Sequence, residues 1–243
     1  MSNASHLLQL SEREARVQEK QDLVLQFLTD EIWTDVSNVG ELLQINRAAT
    51  YRTLNVLERK QLIRSARISC IGSVVTLWGI TAHGQALAST DQTPVKNKVF
   101  APSRVAPTFV QHTLDLQLLR IKAQQQGWTG WINADRIQKW TAGLARPDAF
   151  VTSVDGLRVA VECERTIKSP KRYSDILSGW LQSIRKGDVS CVVWVSPNDH
   201  IRSRLQKIIT SITHVPVNGQ LVLIPRDRFD SIKFNTYEEW PLL

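Results

Sequence analysis

The chain has 243 residues and a formal net charge of +7 at pH 7, with a sequence pI near 9.5. This length suffices for one large or two modest domains, and the positive charge favours an anionic partner such as nucleic acid. No apolar run approaches the ~20 residues that span a membrane, and the first residues lack a signal-peptide core. We therefore expect a cytoplasmic protein with no membrane insertion. The three cysteines are far apart in sequence, which argues against a disulfide framework and against a zinc site.

The first 88 residues predict a series of helices followed by two short strands. Residues 1–21 are polar and predict a frayed or solvent-facing helix, and an apolar helical stripe begins at residue 22. Two more helices follow, separated by a turn at Ile45-Asn46. Strands at 63–68 and 74–80 meet around Gly72, and Thr81 caps a fourth helix. Over residues 22–88 this order resembles a winged helix-turn-helix domain.

A winged helix-turn-helix domain places its third helix in the major groove of DNA and its strand hairpin against phosphates. Basic residues greatly outnumber acidic residues between Gln44 and Ile68, which suits that role. The predicted DNA-binding residues are Arg47, Thr50, Arg52, Thr53, Arg64 and Arg67. A fold of this kind can instead serve only to form dimers, and that alternative stays open.

Residues 89–107 mix prolines with small polar residues and predict a linker, so that a second domain covers residues 108–243. Its predicted elements are a helix that ends at Gly127, strands at 131–133, 150–154 and 157–161, an amphipathic helix at 174–186, an apolar strand at 191–195, a helix at 198–212 and a closing strand at 220–224. The residues from 229 onward are ambiguous. Trp78, Trp180 and Trp194 fall inside apolar patterns, which predicts core positions for them.

Three carboxylates lie where the two middle strands end. Asp148 precedes one strand, while Glu162 and Glu164 close the next, and Asp155-Gly156 between the strands is a strong hairpin signal. Side chains alternate along a strand, so Glu162 and Glu164 project from one face.

The length of the turn decides whether Asp148 joins that face. A two-residue loop of Asp155-Gly156 would set Asp148 opposite Cys163, whereas a three-residue loop beginning at Val154 sets it opposite Glu162. We predict the three-residue loop, because it gathers the three carboxylates into an oxygen-rich site suited to Mg²⁺ or Mn²⁺.

The alternative is an ordinary exposed hairpin whose acids are solvated. Like charges two residues apart on one strand face repel each other, so a positive partner is needed. Nearby basic side chains could supply it as salt bridges, and a metal ion with substrate phosphates could do so equally well. The basic residues are Arg165, Lys168, Lys171 and Arg172.

The acids also carry a family resemblance. Pro147-Asp148 followed by Glu162-Cys163-Glu164 resembles the signature of PD-(D/E)xK nucleases, with glutamate in place of the usual lysine. A wider pattern resembles the replication-relaxation family and, within it, the MOBC-class relaxases. This pattern adds Arg146 and Ala149 around the first motif, Arg165-Thr166 after the second motif, and Lys171-x-Tyr173 beyond it. The resemblance implies an α/β protein with an N-terminal winged helix-turn-helix domain and a C-terminal restriction-endonuclease-like domain built on a mixed sheet.

What the resemblance implies is a metal-dependent endonuclease that nicks one strand at a plasmid transfer origin to start conjugative mobilisation. Asp148 and Glu162 would be the principal ligands of Mg²⁺ or Mn²⁺, Glu164 a water-mediated ligand or the general base, and Lys168 or Lys171 the catalytic cation. Its partners would be double-stranded and nicked origin DNA, an accessory mobilisation protein and a conjugative coupling protein.

Two further residues are candidates. His112 lies on the first helix of the second domain, three residues before Asp115, a position that serves packing or capping more often than ligation. Tyr173 is the second candidate, because most relaxases use a tyrosine as the nucleophile. A restriction-like core uses water instead, so we interpret Tyr173 as a DNA contact or a core hydroxyl.

The alternative function is a non-catalytic plasmid replication or transcription regulator that binds DNA and has an inert nuclease-like domain. The sequence leaves open the DNA target, the preferred metal, covalent or hydrolytic cleavage, and the oligomeric state, a homodimer included.

Overall fold

The computed structural model describes residues 2–89, 98–136 and 146–243. Its contacts group into two compact units, Met1–Leu118 and Leu119–Leu243, with the division inside a helix that covers Val110–Gln125. The linker over 89–107 and the domain start at 108 stay predictions. None of the described helices combines the length and the apolar character needed to cross a membrane.

The first unit combines helices with a small antiparallel sheet. Its helices are α1 (Ser2–Glu31), α2 (Val36–Leu43), α3 (Arg47–Arg59) and α4 (Ala82–Ala88), and its strands are β1 (Trp33–Asp35), β2 (Ile63–Cys70) and β3 (Ser73–Ile80). The strands lie in the order β1-β3-β2. Asp35, Asn46 and Thr81 cap the last three helices, each accepting a backbone N–H from the first turn.

The helix α1 differs from the prediction of a separate polar segment over 1–21. It is one helix of 30 residues, and the exposed side chains of residues 11–19 give way to a buried stripe that includes Val24 and Leu28. Because residues 1–31 contain neither glycine nor proline, nothing in the sequence ends the polar part before the apolar part begins.

Part of the predicted linker packs into the first unit. Phe100 is 1% exposed and joins a cluster with Leu77, Val110 and Leu114. The chain makes room for this ring at Gly79, where a Cβ atom would lie 2.1 Å from the Phe100 side chain. An isolated aromatic residue between prolines gives no periodic signal, so the sequence does not reveal this contact.

The second unit is organised around a five-stranded mixed sheet. The elements from the shared helix onward are α5 (Val110–Gln125), β4 (Thr129–Asn133), β5 (Ala149–Thr152), β6 (Arg158–Cys163), α6 (Pro170–Lys186), β7 (Cys191–Ser196), α7 (Asp199–Thr210), β8 (His214–Val217), β9 (Gln220–Leu223) and β10 (Ile232–Thr236). The sheet order is β10-β7-β6-β5-β4, with β6, β7 and β10 parallel and β4, β5 and β6 antiparallel.

The core of the second unit lies between α6, α7 and one face of the sheet. Leu177 and Trp180 are fully buried, as the helical spacing predicted, and every residue of β7 is buried. Trp78, Trp180 and Trp194 are each at most 5% exposed, so their assignment to the cores is confirmed.

The closing strand is a correction. Residues 220–223 form β9, which pairs with β8 in a separate two-stranded hairpin. Asn218 and Gly219 have φ of 51° and 78°, which is the turn that folds β9 back on β8. The strand that completes the main sheet is β10, inside the region that the sequence left ambiguous.

Candidate functional site

The β5–β6 hairpin sets the geometry of the acidic site. Ala149 pairs with Val161 and Thr152 with Arg158, and the Ser153 amide donates to the Leu157 carbonyl at 2.9 Å. The loop is therefore Val154-Asp155-Gly156, with Gly156 at a left-handed φ of 77°. The predicted three-residue turn is confirmed. The paired register ends at Ala149 and Val161, and Asp148 lies just before β5 with its amide donating to the Val161 carbonyl at 3.0 Å. The negative charge of Asp148 acts on Glu162, so the two carboxylates are neighbours.

Each of the three acids has a donor from the protein. The Cys163 amide donates to Asp148 Oδ2 at 2.8 Å, and the Trp180 indole N–H donates to Glu162 Oε1 at 2.9 Å. Glu164, which is 4% exposed, forms an ion pair with the Lys168 ammonium. The acids therefore lie at the ends of two strands, within a partly enclosed polar network.

The surroundings of Glu162 disfavour the ionised form of its carboxyl group. Burial raises the pKa of the Glu162 carboxyl well above its usual range, and the negative charges of Asp148 and Glu164 raise it further. The Trp180 hydrogen bond and the positive charge of Lys168 oppose this shift only in part. An additional cation near this carboxyl group would stabilise its ionised form.

The two lysines predicted as candidates for the catalytic cation lie in different places relative to the acids. Lys168 reaches back from the β6–α6 loop to Glu164, whereas Lys171 is exposed on the first turn of α6. Lys168 is therefore the lysine that joins the acids.

Tyr173 is a core hydroxyl and not a surface DNA contact. It is fully buried and accepts a hydrogen bond from the Lys168 amide at 2.9 Å. Burial raises the pKa of its phenol, and the charge of Glu164 adds to that shift. A buried hydroxyl of this kind is poorly placed to attack DNA as a nucleophile.

In the first unit, most of the predicted DNA-binding side chains are accessible. Arg47, Arg52 and Arg67 are exposed, and Thr53 is half-buried with its hydroxyl donating to the Ala49 carbonyl at 3.3 Å. The Arg47 guanidinium also contacts the Tyr51 hydroxyl at 3.1 Å.

Thr50 was predicted to face DNA, and that prediction is wrong. Its side chain is fully buried, and its hydroxyl donates to the Asn46 carbonyl at 3.0 Å. A Cβ atom at Gly40 would lie 3.2 Å from the Thr50 hydroxyl oxygen, so α2 passes closely over this position of α3.

Arg64 is exposed in part, but its guanidinium is already engaged within the unit. It donates to the Phe100 carbonyl and lies 5.6 Å from the centre of the Phe100 ring. Arg67, three residues further along β2 and opposite Thr76, is also exposed.

A sequence model of the family described as Replication-relaxation matches residues 25–188, about two thirds of the chain. The chain belongs to the replication-relaxation family. This membership indicates a plasmid-related function that involves DNA.

Comparisons with curated proteins and with solved structures add no further information about function. No curated protein matches. A solved structure of ZitR from Lactococcus lactis, a mutant in apo form, is 24% identical over 35% of this chain and 63% of that chain, with a TM-score of 0.27. Superposition at that level is too poor to inform the fold.

The family match covers the predicted metal ligands, and the donor geometry can be tested against Mg²⁺ or Mn²⁺. Over residues 2–89, 98–136 and 146–243, no group of three or more His, Cys, Asp or Glu side chains is arranged to hold a metal ion. Glu164 is already paired with the Lys168 ammonium. Of the three acids expected to form the ligand set, Asp148 and Glu162 instead accept hydrogen bonds from neutral N–H donors. Magnesium commonly takes one or two protein carboxylates and completes its shell with water and substrate phosphates, so the chemistry of this pair fits it.

His112 is half-buried on α5 and belongs to the first compact unit, whereas the acids belong to the second. Asp115, three residues further along the helix, is buried, and its carboxylate accepts a hydrogen bond from the side-chain amide of Gln111 at 3.0 Å. A role for His112 in the chemistry stays a prediction.

Sequence reasoning missed the second role of Trp180. Its ring fills the core, as predicted, and its N–H is the donor that holds Glu162. A buried tryptophan needs a partner for its N–H. That requirement was the available signal.

Proposed function

We propose that this replication-relaxation protein is a metal-dependent DNA endonuclease of the MOBC relaxase class, which nicks one strand at a plasmid transfer origin. The observation that carries the proposal is the three-residue turn at Val154-Asp155-Gly156 together with the proximity of Asp148 and Glu162, whose negative charges act on each other at the end of β6. The order α5, β4, β5, β6, α6, β7 supports a restriction-endonuclease-like core.

The proposed reaction is hydrolysis of one phosphodiester bond. Water adds to phosphorus, the bond from phosphorus to one ester oxygen breaks, and that oxygen leaves with a proton, which gives a hydroxyl and a phosphate monoester. Bound Mg²⁺ or Mn²⁺ would polarise the phosphate and lower the pKa of a coordinated water. Asp148 and Glu162 would hold the ion, Trp180 orients Glu162, and Lys168 supplies positive charge for the phosphoryl oxygens.

The proposed recognition unit is a winged helix-turn-helix formed by α2, α3 and the β2–β3 hairpin. The exposed Arg47, Arg52 and Arg67 support it, and no acidic residue occurs between Arg59 and Thr90. Phosphate contacts from such residues provide most of the affinity for DNA. An accessory mobilisation protein and a coupling protein are partners that the class implies.

The experiment is nicking of a supercoiled plasmid that carries the cognate transfer origin, with Mg²⁺ or Mn²⁺ added. We expect Asp148→Asn to lose nicking and keep DNA binding, because the amide oxygen can still accept the Cys163 N–H while the charge is gone. Asp155→Asn is the matched control, since Asp155 lies exposed in the turn of the same hairpin. Cleavage unaffected by Asp148→Asn would reject the proposal.

A second function is favoured by one observation, the ion pair of Glu164 with Lys168, which already neutralises one acid without a metal. In that case the chain is a DNA-binding plasmid regulator whose nuclease-like unit is inert. Origin DNA would then be bound in a gel-shift assay by wild type and by Asp148→Asn alike, and neither protein would nick it.

A further inference from the structure

The loop between β6 and α6 is held together by one buried hydroxyl. This loop runs from Glu164 to Ser169, and Tyr173 lies on the first turn of α6, which Ser169 caps. The Tyr173 oxygen accepts a hydrogen bond from the Lys168 amide at 2.9 Å near the end of the loop, and the Lys168 ammonium pairs with the Glu164 carboxylate at its start. The hydroxyl therefore holds the backbone of the residue whose side chain closes the loop.

The side chains at these two ends differ in exposure. The Glu164 side chain is 6% exposed, and its amide donates to the Val195 carbonyl at 2.9 Å, so it is fixed to the sheet. The Lys168 side chain is 43% exposed, and its ammonium lies 6.0 Å from the centre of the Tyr173 ring. Lys168 is thus anchored by its backbone and by Glu164, while its charged end can still meet a ligand from solvent.

The ring of Tyr173 has a separate role from its hydroxyl. It packs in the core of the second unit with Leu177 and Trp180, and a phenylalanine ring can fill the same space. The hydroxyl can therefore be removed while the packing remains.

We propose that Tyr173 is a positioning residue, whose hydroxyl fixes the β6–α6 loop so that the Lys168 ammonium stands beside the acids and meets the scissile phosphate. The inference rests on the proposed nuclease function and deepens it. The nuclease signature usually has a lysine where this chain has Glu164, and the inference assigns the missing positive charge to Lys168. A small displacement of a charged group from the reacting phosphate has a large effect on rate, so the hydroxyl matters for cleavage without touching DNA.

The test uses the full chain with Tyr173→Phe, and Tyr237→Phe as matched control. The Tyr237 hydroxyl lies 3.3 Å from Cys163 Sγ, a side chain that alternation along β6 places on the other face from Glu162 and Glu164. Two measurements are made. Amide hydrogen exchange follows the Lys168 N–H without DNA or metal, and single-turnover nicking of origin plasmid in Mn²⁺ gives the maximal rate and the half-saturating protein concentration separately.

We expect Tyr173→Phe to speed exchange of the Lys168 amide about tenfold, the effect of one lost hydrogen bond. Its maximal nicking rate should fall about a hundredfold with an unchanged half-saturating concentration, and Tyr237→Phe should match wild type in both. Lys168→Met should reproduce the loss of rate, and Lys168→Arg should retain part of it because the charge remains.

Two results would overturn the inference alone: wild-type nicking by Tyr173→Phe, or a loss that appears only as weaker DNA saturation. Unchanged exchange at Lys168 would also overturn it, whatever the nicking. If the wild-type protein itself does not nick, the proposed function fails and this role fails with it.

Discussion

At the scale of single residues, the site is defined by donors that hold negative charge in place. The Cys163 amide, the Trp180 indole and the Lys168 ammonium each serve one carboxylate. None of these pairings follows from sequence spacing alone, since Trp180 stands 18 residues from Glu162. The sequence singled out these acids because they flank two strands, and it could not reveal their partners because tertiary packing supplies them.

Glu162 should make stability depend on pH. Its folded-state pKa is raised, so the unfolded chain ionises first as pH rises from about 4. The folded state then binds more protons than the unfolded state, and the free energy of unfolding falls until pH exceeds the raised pKa. Glu162→Gln removes this loss, so the variant should be more stable than wild type at pH 8 and should lose that advantage towards pH 4.

Urea denaturation in EDTA at several pH values measures this difference. Glu238→Gln is the control, because Glu238 is exposed. A stability difference from wild type that does not change with pH would show that the pKa of Glu162 is not raised in the folded state, and would remove the electrostatic reason for a bound cation.

At the scale of elements, the hairpin turn was the most predictable part of the site. Asp155-Gly156 between β-branched strands fixes a turn, and the need to bring Asp148 and Glu162 to one face selects three loop residues. The amphipathic helix α6 and the apolar strand β7 were equally clear from their periodicity. By contrast, β10 is placed by its pairing with β7, and the burial of Thr50 depends on the approach of α2 at Gly40. Both depend on contacts between distant segments, which local pattern does not encode.

Two glycines allow the turn to be tested separately from general stability. Gly156 and Gly187 both have φ of 77°, and a Cβ atom at either would meet nothing within 4 Å. Alanine at each should therefore cost about 1–2 kcal/mol of stability, from backbone strain alone. Only Gly156→Ala should also weaken Mn²⁺ binding and nicking, because only that turn sets the register of Asp148.

Thermal denaturation compares the two variants, and Mn²⁺ titration separates them. An equal effect of both substitutions on Mn²⁺ binding would mean that the loss reflects stability and not register.

At the scale of the whole molecule, a net charge of +7 accompanies two compact units. The mixed α/β architecture followed from the sequence, as did the family, whereas the strands β1, β8 and β10 did not. The burial of Phe100 in the first unit did not, because a single aromatic residue among prolines has no period.

The β2–β3 hairpin gives a matched pair of arginines for the DNA-binding proposal. Arg67→Ala should weaken DNA binding and reduce the slope of log affinity against log salt by about 1, as loss of one phosphate contact does. Arg64→Ala should change the salt slope less, because the Arg64 guanidinium is bound to the Phe100 carbonyl. Fluorescence anisotropy over a range of salt concentrations measures both slopes. A larger change for Arg64 than for Arg67 would contradict this assignment of the accessible cation.

The central claim is that Asp148 and Glu162 share one divalent ion. Its most direct test is Mn²⁺ binding to the full-length protein, followed by the electron paramagnetic resonance signal of free Mn²⁺. We predict one ion bound per chain for wild type and for Asp155→Asn, and none for Asp148→Asn or Glu162→Gln. Uptake of Mn²⁺ by Asp148→Asn equal to that of wild type, or no uptake by wild type, would contradict the claim.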